Sequence, residues 1–143
     1  MKTLPYGVIM RQKVLFVCIH NSCRSQMAEA FARALANDVI EPFSAGSLPS
    51  GRVDPKATAA MQELGYDMSA HHSKSLEQFL HTRFEYVITM GCGDSCPFIP
   101  AVHHVDWDLP DPSGLPMDEF RQVRDLIRDR VKELAEEIRG KNE

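Results

Sequence analysis

Cys18 opens the run Cys18-Ile19-His20-Asn21-Ser22-Cys23-Arg24-Ser25, set between an apolar stretch and a helical pattern. A loop joining a strand to a helix aims backbone N–H groups and the positive helix terminus at a tetrahedral oxyanion. Arg24 adds a planar fork able to grip two oxygens at once. Such positive surroundings favour the thiolate, the form of cysteine that attacks. Ser25 is placed to donate a hydroxyl hydrogen bond to that sulfur. Asn21 tolerates the left-handed backbone angles that would hold the loop in shape. The expected anion-binding residues are therefore Ile19, His20, Asn21, Ser22, Cys23 and Arg24. The competing reading, chance spacing with Cys18 packed in a turn, is weakened by the position between strand and helix.

The four cysteines fall in two pairs, Cys18 with Cys23 and Cys92 with Cys96. Cys23 is expected to point inward as a small hydrophobe. On spacing alone, structural disulfides, a zinc site and redox chemistry all remain open for this set. Zinc would occupy Cys18 and leave Arg24 beside a cation. The histidines, including His71-His72 and His103-His104, show no metal-ligand spacing and are expected at the surface or at strand ends.

With 143 residues, 43% of them hydrophobic and 25% charged, the chain fits one domain with its own core. A net charge of −4 offers no field for nucleic acid or an anionic membrane, so any bound anion must be held by local geometry. No apolar run reaches membrane-spanning length. Pro5 and Gly7 make the start a poor signal peptide, and the expectation is a cytoplasmic monomer with reduced thiols. Residues 1–12 are expected to be a flexible extension and 13–143 the single domain.

The elements that must position Cys18 are legible as periodicity. Lys13–Val17 reads as a buried strand, Ser25–Asn37 as a helix with Met27, Phe31 and Leu35 on one face, and Val39–Ser44 as a second strand. Asp54-Pro55 starts a helix through Ala60, Met61 and Leu64 that stops at Gly65. A short helix at Leu76–Leu80 precedes strands at Tyr86–Met90 and Ala101–Asp106. Trp107–Pro116 is a proline-rich loop. The final helix carries Phe120, Val123, Ile127, Val131, Leu134 and Ile138 on one stripe. Alternating strands and helices predict an α/β three-layer sandwich with a four-stranded parallel sheet. Sites in such sheets lie at the carboxyl ends of the strands. The segments Cys18–Ser25, Gly91–Pro97 and Trp107–Gly114 should therefore converge there.

The run VCIHNSCRSQMAEA resembles the signature of the low-molecular-weight tyrosine phosphatase superfamily, which includes many arsenate reductases. The resemblance implies Cys18 as nucleophile, Arg24 as oxyanion clamp and Ser25 as thiolate stabiliser; the family usually carries Gly at the place of His20. Asp111-Pro112 resembles the family's general-acid loop, where a carboxyl gives a proton to the departing oxygen. A solvated Asp-Pro turn is the competing reading. Asp106 and Asp108 are expected at the strand end or surface. Ser113 and Gly114 follow where phosphotyrosine enzymes place aromatic walls, so a small inorganic anion fits the mouth better.

Cys92-Gly-Asp-Ser-Cys96-Pro97 resembles the redox segment of thioredoxin-coupled arsenate reductases, with a shorter gap between the cysteines. The resemblance implies a Cys18–Cys92–Cys96 disulfide cascade converting arsenate to arsenite, recycled by thioredoxin, with a glutaredoxin or low-molecular-weight thiol as second choice. No cofactor or metal is expected, and phosphate and sulfate should compete. Thioredoxin-linked relatives hold a potassium ion beneath the loop with an Asn, a Glu, a Ser and an Asp. Asn21, Glu29 and Ser44 resemble three of these, and Lys74 stands at the place of the fourth. Its ammonium would replace the cation, unless Lys74 is a solvated surface lysine. The rival functions are a phosphatase using Cys18, Arg24 and Asp111, and a non-enzymatic thiol or metal sensor.

Overall fold

A computed structural model describes residues 10–91 and 98–141; Cys92, Cys96 and Pro97 lie outside the described residues. Four strands, β1 (Gln12–Cys18), β2 (Ile40–Gly46), β3 (Phe84–Thr89) and β4 (Ala101–Asp106), form one parallel sheet in the order β2-β1-β3-β4. The chain leaves β1 toward β2 on one side and returns to β3 on the other. The carboxyl end of β1, which is Cys18, is therefore the switch point where such sheets open a crevice.

Side chains along β1 are buried from Val14 to Cys18 and alternate between the two faces of the sheet as the pleat requires. Val14, Phe16 and Cys18 join a core with α1 (Arg24–Leu35), α2 (Pro55–Gln62) and α3 (Met117–Gly140). Leu15 and Val17 face the opposite side with Leu76, Phe84, Val87 and Ile99. There Phe43 meets Phe79 and Phe84 edge-on at centroid distances of 5.6 and 5.5 Å. The two faces are thus covered unequally. Three α-helices pack on one, and on the other the described helical cover is a single 3₁₀ turn, Leu76–Phe79. Four residues are too few for a stable α-helix, and the Ser75 hydroxyl caps the turn by accepting from Glu77 N–H at 3.1 Å.

The expected stripe of α3 is buried throughout, from Phe120 to Ile138. Arg124 joins it: its guanidinium donates to Ala60 O at 2.9 Å and to Glu63 at 2.8 Å, clamping α3 to α2. α2 starts as expected, with the Asp54 carboxylate accepting from Lys56 N–H at 2.8 Å. It ends at Gln62, short of Gly65, because Leu64 N–H already bonds in a turn to Met61 O and Gly65 takes φ 86°. No helix among the described residues is long and apolar enough to cross a membrane.

Candidate active site

The loop from Cys18 to Arg24 is shaped by where its carbonyls go. Ile19 O accepts from Leu48 N–H at 2.9 Å, His20 O from Ser50 N–H at 3.1 Å, and Ser22 O from Asp54 N–H at 2.9 Å. Ser73 Oγ adds a bond to His20 O at 2.9 Å, and Gln26 Nε2 one to Asn21 O at 3.1 Å. In a planar trans peptide the C=O and the following N–H point opposite ways. Tying these carbonyls outward therefore turns the N–H groups of His20, Asn21, Ser22 and Cys23 to the inner side of the loop. Cys23 O takes the first helical bond, from Met27 N–H at 3.0 Å, so Arg24 N–H adds an unpaired helix-terminal donor. Asn21 has φ 49°, the left-handed value expected of it. The His20 imidazole leaves the cradle and bonds Leu48 O at 2.9 Å, so this residue takes part through its backbone.

Cys18 Sγ lies 2.8 Å from Ser25 Oγ, and both residues are buried. Asn21 Nδ2 donates to Ser25 Oγ at 2.7 Å, which leaves the single hydroxyl hydrogen of Ser25 for the sulfur. Arg24 Nη1 donates to Leu109 O at 2.9 Å and to Met90 O, tying the end of β3 and the late loop to the cradle. Its Nη2 lies 4.0 Å from Asp111 Oδ2, whose side chain is half exposed. Asp111 Oδ1 accepts from Ser113 N–H at 3.0 Å, an Asx turn that fixes the carboxylate at the mouth. The first and third predicted segments thus meet at one sheet edge, with Gly91 of the second beside them, next to Asp108 and Leu109. Asp106, at the end of β4, accepts from Gly91 N–H and Thr89 Oγ1, both at 2.8 Å, and so holds Gly91 at the end of β3.

Beneath the cradle, Lys74 Nζ lies 3.2 Å from Ser44 Oγ, 3.5 Å from Glu29 Oε1 and 3.0 Å from His72 O. Ser44 donates to Glu29 at 2.5 Å. Asn21 joins through its Oδ1, which accepts the Lys74 backbone N–H at 2.8 Å. The surface-lysine reading is therefore overturned: only 11% of the Lys74 side chain is exposed. The same cluster corrects the expectation for His71, whose side chain is 9% exposed, with Nδ1 3.0 Å from Gln26 Oε1 and 3.8 Å from Glu29. Gln26, fully buried, was invisible in sequence because its partners lie 46 and 45 residues away at His72 and His71. Gly46 was also missed: its role follows from the Cys18–Asn21 backbone packed against it, which no local pattern records.

Burial pushes the His71 ring down from its ordinary value of 6.5; Glu29 opposes this and Arg33 and Lys74 reinforce it. Burial also pushes Glu29 up, but the Ser44 hydroxyl, Lys74, His71 and Arg33 outweigh it and hold the carboxyl below its usual range. For both groups the unfolded chain binds protons that the fold excludes, so their contribution is complete above the unfolded values and lost as pH falls. Melting temperature should therefore drop as pH falls below about 6.5, with Glu29 adding to the loss below about 4.5. His71→Asn should flatten the upper part of that slope in calorimetric melts between pH 7 and 5. An unchanged slope would show that His71 is not the group responsible.

Cys23 packs in the core as expected, yet it also donates its S–H to Asp54 Oδ2 at 3.2 Å. Burial, and then the Asp54 carboxylate, push its thiol far up, away from the reactive form. Cys18 and Cys23 are both free thiols.

A parallel α/β sheet with an amide-lined cradle, a cysteine at its base and an arginine at its rim defines a cysteine-based oxyanion enzyme of phosphatase type. Residues 13–143 match the low molecular weight phosphotyrosine protein phosphatase family, and the chain belongs to it. A glutaredoxin arsenate reductase of Synechocystis sp. is 42% identical over 130 residues, 89% of this chain and 98% of that protein. Among solved structures, an arsenate reductase in the phosphate binding state shares 41% identity with a TM-score of 0.81, covering 90% of this chain and 99% of the other. A thioredoxin-dependent arsenate reductase of Corynebacterium glutamicum shares 36% identity with a TM-score of 0.75, covering 90% of this chain and 62% of the other.

Proposed function

We propose that this protein reduces arsenate to arsenite with its own thiols. The observation that carries the proposal is Cys18, buried beside the Ser25 hydroxyl at 2.8 Å at the base of an amide-lined cradle, on a chain 42% and 41% identical to two arsenate reductases. Phosphate bound by one such relative supports a tetrahedral oxyanion as ligand.

The Cys18 thiolate attacks arsenic while the cradle amides and Arg24 hold the oxyanion charge. Asp111 protonates the departing oxygen, which leaves as water and makes a Cys18–S–As(V) adduct. The Cys92 thiolate then attacks the Cys18 sulfur; the S–As electron pair stays on arsenic, which departs as arsenite, and a Cys18–Cys92 disulfide remains. Cys96 attacks Cys92, freeing Cys18 as a thiolate and forming Cys92–Cys96. No resident cofactor enters. A redoxin dithiol reduces the final disulfide, and thioredoxin is the donor assigned here, in line with the Corynebacterium neighbour. The Synechocystis relative makes glutaredoxin with a small thiol the alternative.

The test is reduced protein mixed with arsenate alone. One arsenite per chain with two thiols lost is the expected yield, and Cys96→Ser should complete that single turnover yet fail to recycle. Thioredoxin with its reductase, set against glutaredoxin with glutathione, identifies the donor. A phosphatase reading would instead give phosphoester hydrolysis with no thiol loss, unaffected by Cys92→Ser and Cys96→Ser.

The residues beneath the loop do not fit a potassium ion, because the Lys74 ammonium already stands among Glu29, Ser44 and His72 O. Turnover should be the same in potassium, sodium or choline chloride at one ionic strength. A potassium-specific rise in rate would refute this role for Lys74.

A further inference from the structure

We propose that Gln26 is a positioning residue that sets the reactivity of Cys18 by holding His71, Asn21 and Ser25 in one donating order. The inference rests on the reading of Cys18 as nucleophile. Gln26 is fully buried, with 0% of its surface accessible, and each end of its amide is bonded.

The orientation of the two amides, Gln26 and Asn21, is set by backbone groups whose sense cannot be reversed. Gln26 Nε2 faces two carbonyls, His72 O at 2.8 Å and Asn21 O at 3.1 Å, so the NH₂ lies at that end and Oε1 at the other. His71 Nδ1, 3.0 Å from Oε1, must then carry the hydrogen. Asn21 Oδ1 faces the Lys74 backbone N–H at 2.8 Å, so it is an acceptor and takes the second bond, from Gln26 Nε2, at 2.9 Å. The Asn21 NH₂ is left to donate to Ser25 Oγ, and against the Cys18 thiolate, which has no hydrogen of its own, Ser25 is the donor. The result is a single-sense chain: His71 to Gln26, Gln26 to Asn21, Asn21 to Ser25, Ser25 to sulfur.

Aligned hydrogen bonds polarise one another in a buried site, and the last one stabilises a negative sulfur more than a neutral one. Gln26 joins the cradle to the segment His71–Lys74: besides tying Asn21 O outward it holds the Asn21 side chain, and its removal would let Asn21 rotate. Charged groups also act on this chain. Arg24 and Asp111 meet at the rim above Cys18, and Glu29, Arg33, Lys74 and His72 surround His71. None of them lies between Gln26 and Asn21, so a change at Gln26 is read through the amide contacts.

The experiment is site-resolved alkylation of the reduced full chain by iodoacetamide, with Cys18 followed by peptide mass spectrometry from pH 6 to 10. Gln26→Met removes both amide functions at similar length, and Gln26→Glu replaces the donor toward Asn21 by an acceptor; melting curves show which of them is folded. In a folded variant, Cys18 should react about tenfold more slowly at pH 7, the effect of one hydrogen bond to a charged group. The deficit should close as pH rises and the thiolate forms without help. An unchanged rate in a folded variant overturns the inference. So does slowing by the same factor at every pH, which would mean altered access rather than a lost donor chain. Wild-type Cys18 reacting no faster than glutathione would overturn the nucleophile reading itself, and this inference with it.

Discussion

Cys18→Ser should end arsenite release and thiol consumption, leaving turnover below about a thousandth of wild type. A serine hydroxyl is a poor nucleophile at neutral pH, and an oxygen at this position cannot be drawn into a disulfide, so both the first and the second step of the cascade are lost. Anion affinity should change little. The donors that line the cradle are backbone N–H groups held by outward-tied carbonyls, and these bonds do not involve the sulfur. Titration calorimetry with phosphate, beside an arsenite assay, separates the two effects. Continued arsenite release would show that another thiol receives arsenate. Loss of anion binding together with activity would show that the sulfur shapes the cradle.

Gly46→Ala should be nearly as damaging, although residue 46 touches no substrate. A Cβ at Gly46 would stand 2.5 Å from Ile19 O and 2.9 Å from both Cys18 O and Asn21 N. All three are backbone atoms of the cradle, so the loop must move away from β2. Displacements near 1 Å at a reacting centre cost on the order of a hundredfold in rate, and that loss is expected in both phosphate affinity and turnover. The sheet should survive, since Gly46 is the last residue of β2 and the core pairs lie behind it. A stability loss of about 1–3 kcal/mol is the expected scale of such overpacking. Gly140→Ala is the control: nothing lies within 4 Å of a Cβ there. Wild-type activity in Gly46→Ala would mean that the loop tolerates displacement and that its position is not what binds the anion.

Local chemistry explains how far the sequence could be read. The strand at Lys13–Val17, the N-cap at Asp54 and the stripe of α3 are written in neighbouring residues, through the pleat, the missing N–H of Pro55 and helical periodicity. The anion loop was legible for the same reason: Cys18, Asn21, Arg24 and Ser25 lie within eight consecutive residues, between a strand and a helix. Misreadings came where distant segments decide. His71 looked like a surface residue, and a surface position stayed open for Lys74, because Glu29 and Ser44, which pair with them beneath the loop, belong to other elements.

The sequence by itself determined the parallel α/β class, the cradle and the residues that line it, because periodicity and loop position are short-range properties. Tertiary structure alone decided which carbonyls are tied outward, that Gly46 must lack a side chain, and that Gln26 links His71 to Asn21. Those outcomes depend on segments tens of residues apart being brought within hydrogen-bond reach. Contact at that range follows from packing against a common sheet, and no local pattern records it.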